Sequence, residues 1–203
     1  FDTRAPLVPS NVTVTFENAG SRLTAAELNA GFRTAGTNIE AVDRAAGREL
    51  TAIIQSGGVS ADDAAIFANR FFAAGARPPV AVPISVGDTL VKLVPRGVPV
   101  DPYSGYFLTQ SELAALTRNP GQISNRLGLP AGSQALQYDV YRVEALVNTT
   151  VFQSRVASTV NTITGARTTG GATQTIVGNR GQFTDPVRVG TINAFNPLPR
   201  TGN

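Results

Sequence analysis

The 203-residue sequence contains no cysteine and no histidine. Without cysteine there is no disulfide framework, no thiolate nucleophile and no cysteine-ligated zinc. Without histidine there is no serine-histidine-acid triad, and no nuclease chemistry that uses imidazole as general acid and base. With both absent, a transition metal lacks its usual ligands, and catalysis must draw on Lys, Arg, Tyr, Asp, Glu, Ser, Thr or Gln. No cofactor is required by anything in the pattern. Long apolar runs are missing too, and the first residues do not form a signal peptide, so stable membrane insertion of this domain is not expected. Methionine is absent even at position 1. A piece excised from the end of a longer polypeptide is the simplest expectation.

Charge is sparse. Charged residues make up 15 % of the chain, too few for a disordered polyelectrolyte. Seventeen basic residues against fourteen acidic ones leave a net charge of +3, a modest bias toward a phosphate-bearing partner.

What is present divides into helical and β-patterned parts. Asn11-Val12-Thr13-Val14-Thr15-Phe16 alternates like a short strand. Thr24-Ala25-Ala26-Glu27 has capping-box spacing and predicts a helix ending near Gly31 or Gly36. Ile39, Val42, Ala46, Leu50, Ile53 and Ile54 recur at helical spacing until Gly57-Gly58, and Ser60-Ala61-Asp62-Asp63 caps a further helix running to Gly75. Residues 24 to 75 therefore read as a helical bundle. The proline-rich stretch 75 to 85 reads as a connection. After it, 88 to 94, 138 to 143, 150 to 156, 172 to 177 and 187 to 192 read as strands. Thr109-Gln110-Ser111-Glu112 and Asn119-Pro120-Gly121 start short helices, and 159 to 171 reads as a mobile loop. The fold class expected is α+β: an N-terminal helical bundle (1 to 80), then a twisted, mainly antiparallel sheet with short helices (81 to 203) carrying the chemistry.

Candidate site residues follow from that layout. Lys92 on a strand and Arg96 just past its end can grip a diphosphate or meet charge on a leaving phosphate, or Lys92 can simply face solvent. Gly170-Gly171 lets a backbone or ligand approach the start of the next strand closely. Gln174 can position a water or a ribose hydroxyl, or pair as an amide across strands. Tyr103 and Tyr106 can stack on a nicotinamide or a base, Thr109 is a helix cap or a ribose contact, and Arg180 can bind phosphate or cap a turn. Ser154 and Arg155 are adjacent on one strand, so only one of them can look into a cleft. No P-loop, dinucleotide-binding glycine fingerprint or acidic metal cluster is visible.

Taken together, Val94-Pro95-Arg96-Gly97, Tyr106-Phe107-Leu108-Thr109, Leu127-Gly128-Leu129-Pro130, Asp139-Val140-Tyr141, the run from Val151 to Ala157, Gly170-Gly171-Ala172-Thr173-Gln174 and Asn179-Arg180 resemble the toxic tip domains of bacterial contact-dependent growth inhibition exoproteins. That resemblance implies a cognate immunity protein, a secreted or cell-surface parent protein, action in the cytoplasm of a target bacterium, and a role for the helical portion in passage into that cell. The same order of segments also resembles the tuberculosis necrotizing toxin family of NAD glycohydrolases, related to ADP-ribosyltransferases. On that resemblance, Arg96 or Lys92 would grip the diphosphate of NAD, Thr109 would face the nicotinamide ribose, and Gln174 would take the catalytic polar position. A sheet presenting Lys92, Arg155 and Arg180 would also suit a metal-independent ribonuclease of the barnase, colicin and RelE type acting on tRNA. A non-enzymatic adhesive fragment is the third reading.

Overall fold

The structure, a computed structural model, describes residues 13–15, 22–24, 32–36, 39–101, 104–130, 133–163 and 165–194. Seven strands make one curved antiparallel layer. In the first sheet the order is β4 (Val80–Ile84), β8 (Thr149–Arg155), β11 (Thr173–Ile176) and β6 (Tyr106–Phe107); in the second it is β5 (Thr89–Pro95), β7 (Gln137–Glu144) and β12 (Val187–Asn193). A bridge between Val91 and Leu108 joins the two, with reciprocal N–H to carbonyl bonds of 2.9 and 2.8 Å.

The α-helices lie on one side of this layer, whereas the 3-10 turn Arg180–Gln182 lies on the other. α1 (Ala45–Ser56) and α2 (Ala61–Ala74) place Leu50, Ile54, Ala64, Ala68 and Phe72 against Phe152 and Ile176. Fully burying side chains of the size of Leu50 and Phe72 is worth about 1.5–3 kcal/mol each. α3 (Gln110–Thr117) and α4 (Ile123–Arg126) place Leu116 and Ile123 against Val91, Leu108, Tyr138 and Val140. The opposite, concave side holds a third cluster of Ile84, Leu90, Phe107, Val143, Val151, Val177 and Phe183. Because α1 and α2 share a core with β8 and β11, helices and sheet support one another across residue 80.

The α+β class and the antiparallel sheet match the expectation; several local readings change. β2 (Arg22–Thr24), paired antiparallel with β1 (Thr13–Thr15), and β3 (Phe32–Thr34) flank the helix expected from Thr24, whose interior 25–31 falls outside the described residues. The bundle is therefore seen as the pair α1 and α2, preceded by a 3-10 turn at Ala41–Asp43. The proline-rich connection contains β4, a strand whose Pro83 is tolerated because β4 lies at the sheet edge and pairs only with β8. The expected mobile loop contains a hairpin, β9 (Thr159–Asn161) with β10 (Arg167–Thr168), and β9 also pairs with β3. Its β-branched residues suit a pleated surface, and Thr159 and Thr168 share a hydroxyl hydrogen bond of 2.6 Å.

Candidate functional site

Strand alternation and register together define what the concave face presents. Along β5, Leu90, Lys92 and Val94 point to it, and they pair with Val143, Tyr141 and Asp139 of β7. Across the next boundary, Tyr141 pairs with Arg188, Asp139 with Thr191, and Gln137 with Asn193. Arg96 extends the ladder by donating its N–H to the Gln137 carbonyl at 3.0 Å. Three cations, Lys92, Arg96 and Arg188, thus stand on one face of three adjacent strands.

At one end of this stripe the cations are desolvated. Lys92 Nζ lies 4.8 Å from the centre of the Phe107 ring and donates to the Ser104 carbonyl at 3.0 Å. Burial lowers its pKa to about 8, with the Asp101 charge opposing the shift and the Arg180 charge adding to it. The Arg180 guanidinium carbon lies 5.0 Å from the same ring and 5.8 Å from Phe183. Burial depresses Arg180 below its ordinary value, with Asp185 opposing, and an arginine remains charged regardless. Arg180 Nη2 donates to the Thr184 carbonyl at 3.2 Å, whereas Nη1 is buried without a partner. Thr175, which pairs with Phe107 across the sheet, also has a buried hydroxyl without a partner. Spare hydrogen-bonding capacity therefore converges around Phe107.

The segment bearing Arg180 is strapped from several sides. Asn179 Nδ2 donates to Ser56 Oγ of α1 at 3.0 Å, Asn179 Oδ1 accepts from the Gly181 N–H at 2.9 Å, and Thr149 Oγ1 donates to Gln182 Oε1 at 2.6 Å. The Thr184 N–H donates to the Glu144 carbonyl at 2.9 Å. Held this way, Arg180 loses little freedom on meeting a ligand.

At the other end the stripe is open. Arg96 Nη1 donates to Gln137 Oε1 at 2.7 Å, and Gln137 Nε2 donates to Asn193 Oδ1 at 2.8 Å. These three residues, with Ala135 and Leu136, line a depression of about 750 Å³. It takes in Arg96 but not Lys92 or Arg180, so this depression is offset from the desolvated cations.

The other expected site residues lie elsewhere. Gln174 is 6 % exposed, shares the helix-covered face with Ile176, and donates Nε2 to Ser154 Oγ at 2.9 Å, the cross-strand amide arrangement. Tyr106 shares that covered face, edge-on to Phe71 with ring centres 5.0 Å apart, and burial pushes its phenol up to about 12 against an opposing Arg70 charge. Thr109 caps α3, its Oγ1 accepting from the Glu112 N–H at 3.1 Å. Gly170 has φ +66°, and a Cβ there would stand 2.5 Å from the carbonyl oxygens of Val156 and Ala157, so the close approach it permits is to this chain's own backbone. Gly171 has φ +95° with open space beside it. Arg155 is exposed and pairs opposite Thr173. Tyr103 lies outside the described residues.

The structure adds Asp139, Tyr141 and Arg188 to the site. The polar residues Gln137, Asp139 and Tyr141 at spacing two mark a face in the sequence, but which face stays open is not written there. Among the described residues, no group of three or more acidic, histidine or cysteine side chains could hold a metal, and no helix is long and apolar enough to cross a membrane.

No protein-family model matches the sequence, and no curated protein does. Among solved structures, a Rhs1 C-terminal domain in complex with its cognate immunity protein RhsI1 is similar with TM-score 0.41 and 16 % identity, covering 58 % of this chain and 86 % of that one. Tse6 in complex with Tsi6 is similar with TM-score 0.40 and 15 % identity, covering 72 % of this chain and 96 % of that one. Likeness at this level bears on neither the chemistry nor the partner of this chain.

Proposed function

We propose that this chain is the toxic effector domain of a bacterial contact-dependent growth inhibition system, restrained in its producer by a cognate immunity protein, and that it cleaves NAD in the cytoplasm of the target cell. The observation that carries the enzymatic part is the set of cations, Lys92, Arg96 and Arg188, on one sheet face, with Arg180 at its buried end. Lys92 and Arg180, the two desolvated cations, would attract phosphates more strongly than the same charges in water. Lys92 and Arg180 would grip the diphosphate, and Tyr141, on the same face, would offer a ring to a base or to nicotinamide. Gln174, on the helix-covered face, would have a structural part only, in its pair with Ser154.

A second reading, a metal-independent ribonuclease acting on tRNA, is favoured by Lys92. With its pKa brought to about 8, a fraction of the amine is neutral near neutrality and can accept a proton from a 2′-hydroxyl. Arg180 and Arg188 would then meet the phosphate charge.

Incubating the purified domain with NAD and, separately, with total tRNA tests both. Nicotinamide release with intact RNA supports the first reading; discrete RNA fragments with NAD untouched replace it with the second. A chain that alters neither would be the adhesive fragment.

A further inference from the structure

Arg188 and Thr191 are three residues apart, and a regular strand would send them to opposite faces. A register shift between Arg188 and Gly190 inserts an extra residue, so Arg188 pairs with Tyr141 and Thr191 with Asp139, both on the concave face. The two side chains then converge on one atom. Arg188 Nη2 donates to Asp139 Oδ1 at 2.8 Å, and Thr191 Oγ1 donates to the same Oδ1 at 2.9 Å. Arg188 Nη2 also donates to Thr191 Oγ1 at 2.6 Å, closing a triangle.

Among the described residues no donor meets Asp139 Oδ2. An arginine that serves only to tie a carboxylate down commonly takes both oxygens in a parallel fork. Here one oxygen takes both bonds and the other is left over, on a side chain that keeps 12 % of its surface exposed. The Arg188 hydrogen bond holds the carboxyl below the usual carboxylate range, helped by Thr191 and by the charge of Arg96, so the group is ionised at neutral pH. Asp139 lies between the row of Lys92, Tyr141 and Arg188 and the row of Gln137 and Asn193 that lines the open depression.

We infer that Asp139 receives the positively charged part of the ligand on its free Oδ2, while the cations on either side hold the phosphates. This rests on the NAD reading, in which the ligand carries a pyridinium ring. The bond between the ring nitrogen and ribose C1′ breaks with both electrons leaving on the ring, so neutral nicotinamide departs and the positive charge moves to the ribosyl carbon. Water oxygen then bonds to C1′ and its proton passes through Oδ2 to solvent. A carboxylate held by an arginine at 2.8 Å is pre-organised for the positive charge as it passes from the ring to the ribosyl carbon.

Oxidised and reduced NAD test this, because they share their phosphates and riboses and differ in the charge of the nicotinamide ring. The wild-type chain should bind the oxidised form roughly tenfold tighter or better, the range expected of a close charge pair. Asp139→Asn keeps the shape and can still accept from Arg188 and Thr191, and it should bind the two forms alike. Equal binding of both forms by the wild type overturns the inference without any variant being made. So does a preference for the oxidised form that survives in folded Asp139→Asn. If the wild type binds neither form, the NAD reading itself has failed and the inference goes with it, an outcome distinct from the other two.

Discussion

The two faces of the curved sheet carry similar polar residues and put them to different use. On the helix-covered face, Gln174 and Ser154 satisfy each other at 2.9 Å, and Tyr106 packs against Phe71 under α2. On the concave face, Lys92 and Arg180 crowd the Phe107 ring, Arg180 Nη1 and the Thr175 hydroxyl have no partner, and Asp139 keeps an oxygen free. A polar group whose partners are all inside the protein maintains structure. One with capacity left over, held in place by its neighbours, is where a ligand can add something.

The largest effect expected from this contrast is on activity at the concave face. Lys92→Met should lower turnover roughly hundredfold, the scale of removing one pre-organised charge donor. It should also stabilise the fold at neutral pH, since a lysine whose pKa falls to about 8 resists being charged in its native place. The sign is set by proton uptake: between the unfolded value of 10.5 and about 8, the unfolded chain holds the proton and the native one does not, so wild-type stability rises with pH across that window. The stability advantage of Lys92→Met should therefore shrink from pH 8 upward and vanish near 10.5, as thermal unfolding at stepped pH will show.

Gln174→Ala sharpens the other side. Leaving Ser154 alone in the interior should cost about 1–3 kcal/mol of stability, while the folded variant keeps its turnover. Denaturant unfolding alongside nicotinamide release separates the two, and a folded but inactive variant would place Gln174 in the chemistry after all.

Smaller effects come from caps and ion pairs. Thr109→Ala removes the hydroxyl that accepts from the Glu112 N–H and should cost about 1 kcal/mol with activity unchanged. Asp139, whose pKa is lowered chiefly by the Arg188 hydrogen bond, adds stability that is present above the ordinary carboxylate value and lost as pH falls through its folded pKa. An acid titration of Arg188→Gln should show a shallower loss below about pH 4 than the wild type.

Local signals predicted local structure well. Ser60 and Thr109 cap their helices as the spacing predicted, accepting from Asp63 and Glu112 N–H groups at 3.2 and 3.1 Å. Three of the proposed cations, Lys92, Arg96 and Arg180, were visible as candidates, and the structure gathers them near or on one face. The Thr24 box did not predict the strand at Arg22–Thr24, and Pro83 hid an edge strand because proline discourages only the bonds an edge need not make.

Alternation along β5, β7 and β11 follows from the two-residue period of an extended chain, so the sequence by itself determined that Lys92 and Val94 share a side and that Gln174 and Thr175 do not. Which side the helices would cover required long-range packing of Leu50, Phe72, Leu116 and Ile123, and that decided the fates of Gln174 and Lys92. The register of β12, with its bulge, depends on partners 45 to 56 positions away in the chain, such as Arg142 for Val187 and Gln137 for Asn193. Only the tertiary structure could bring Arg188 and Thr191 onto one oxygen of Asp139, because neighbours along the chain set a side chain's direction and distant strands set what it meets.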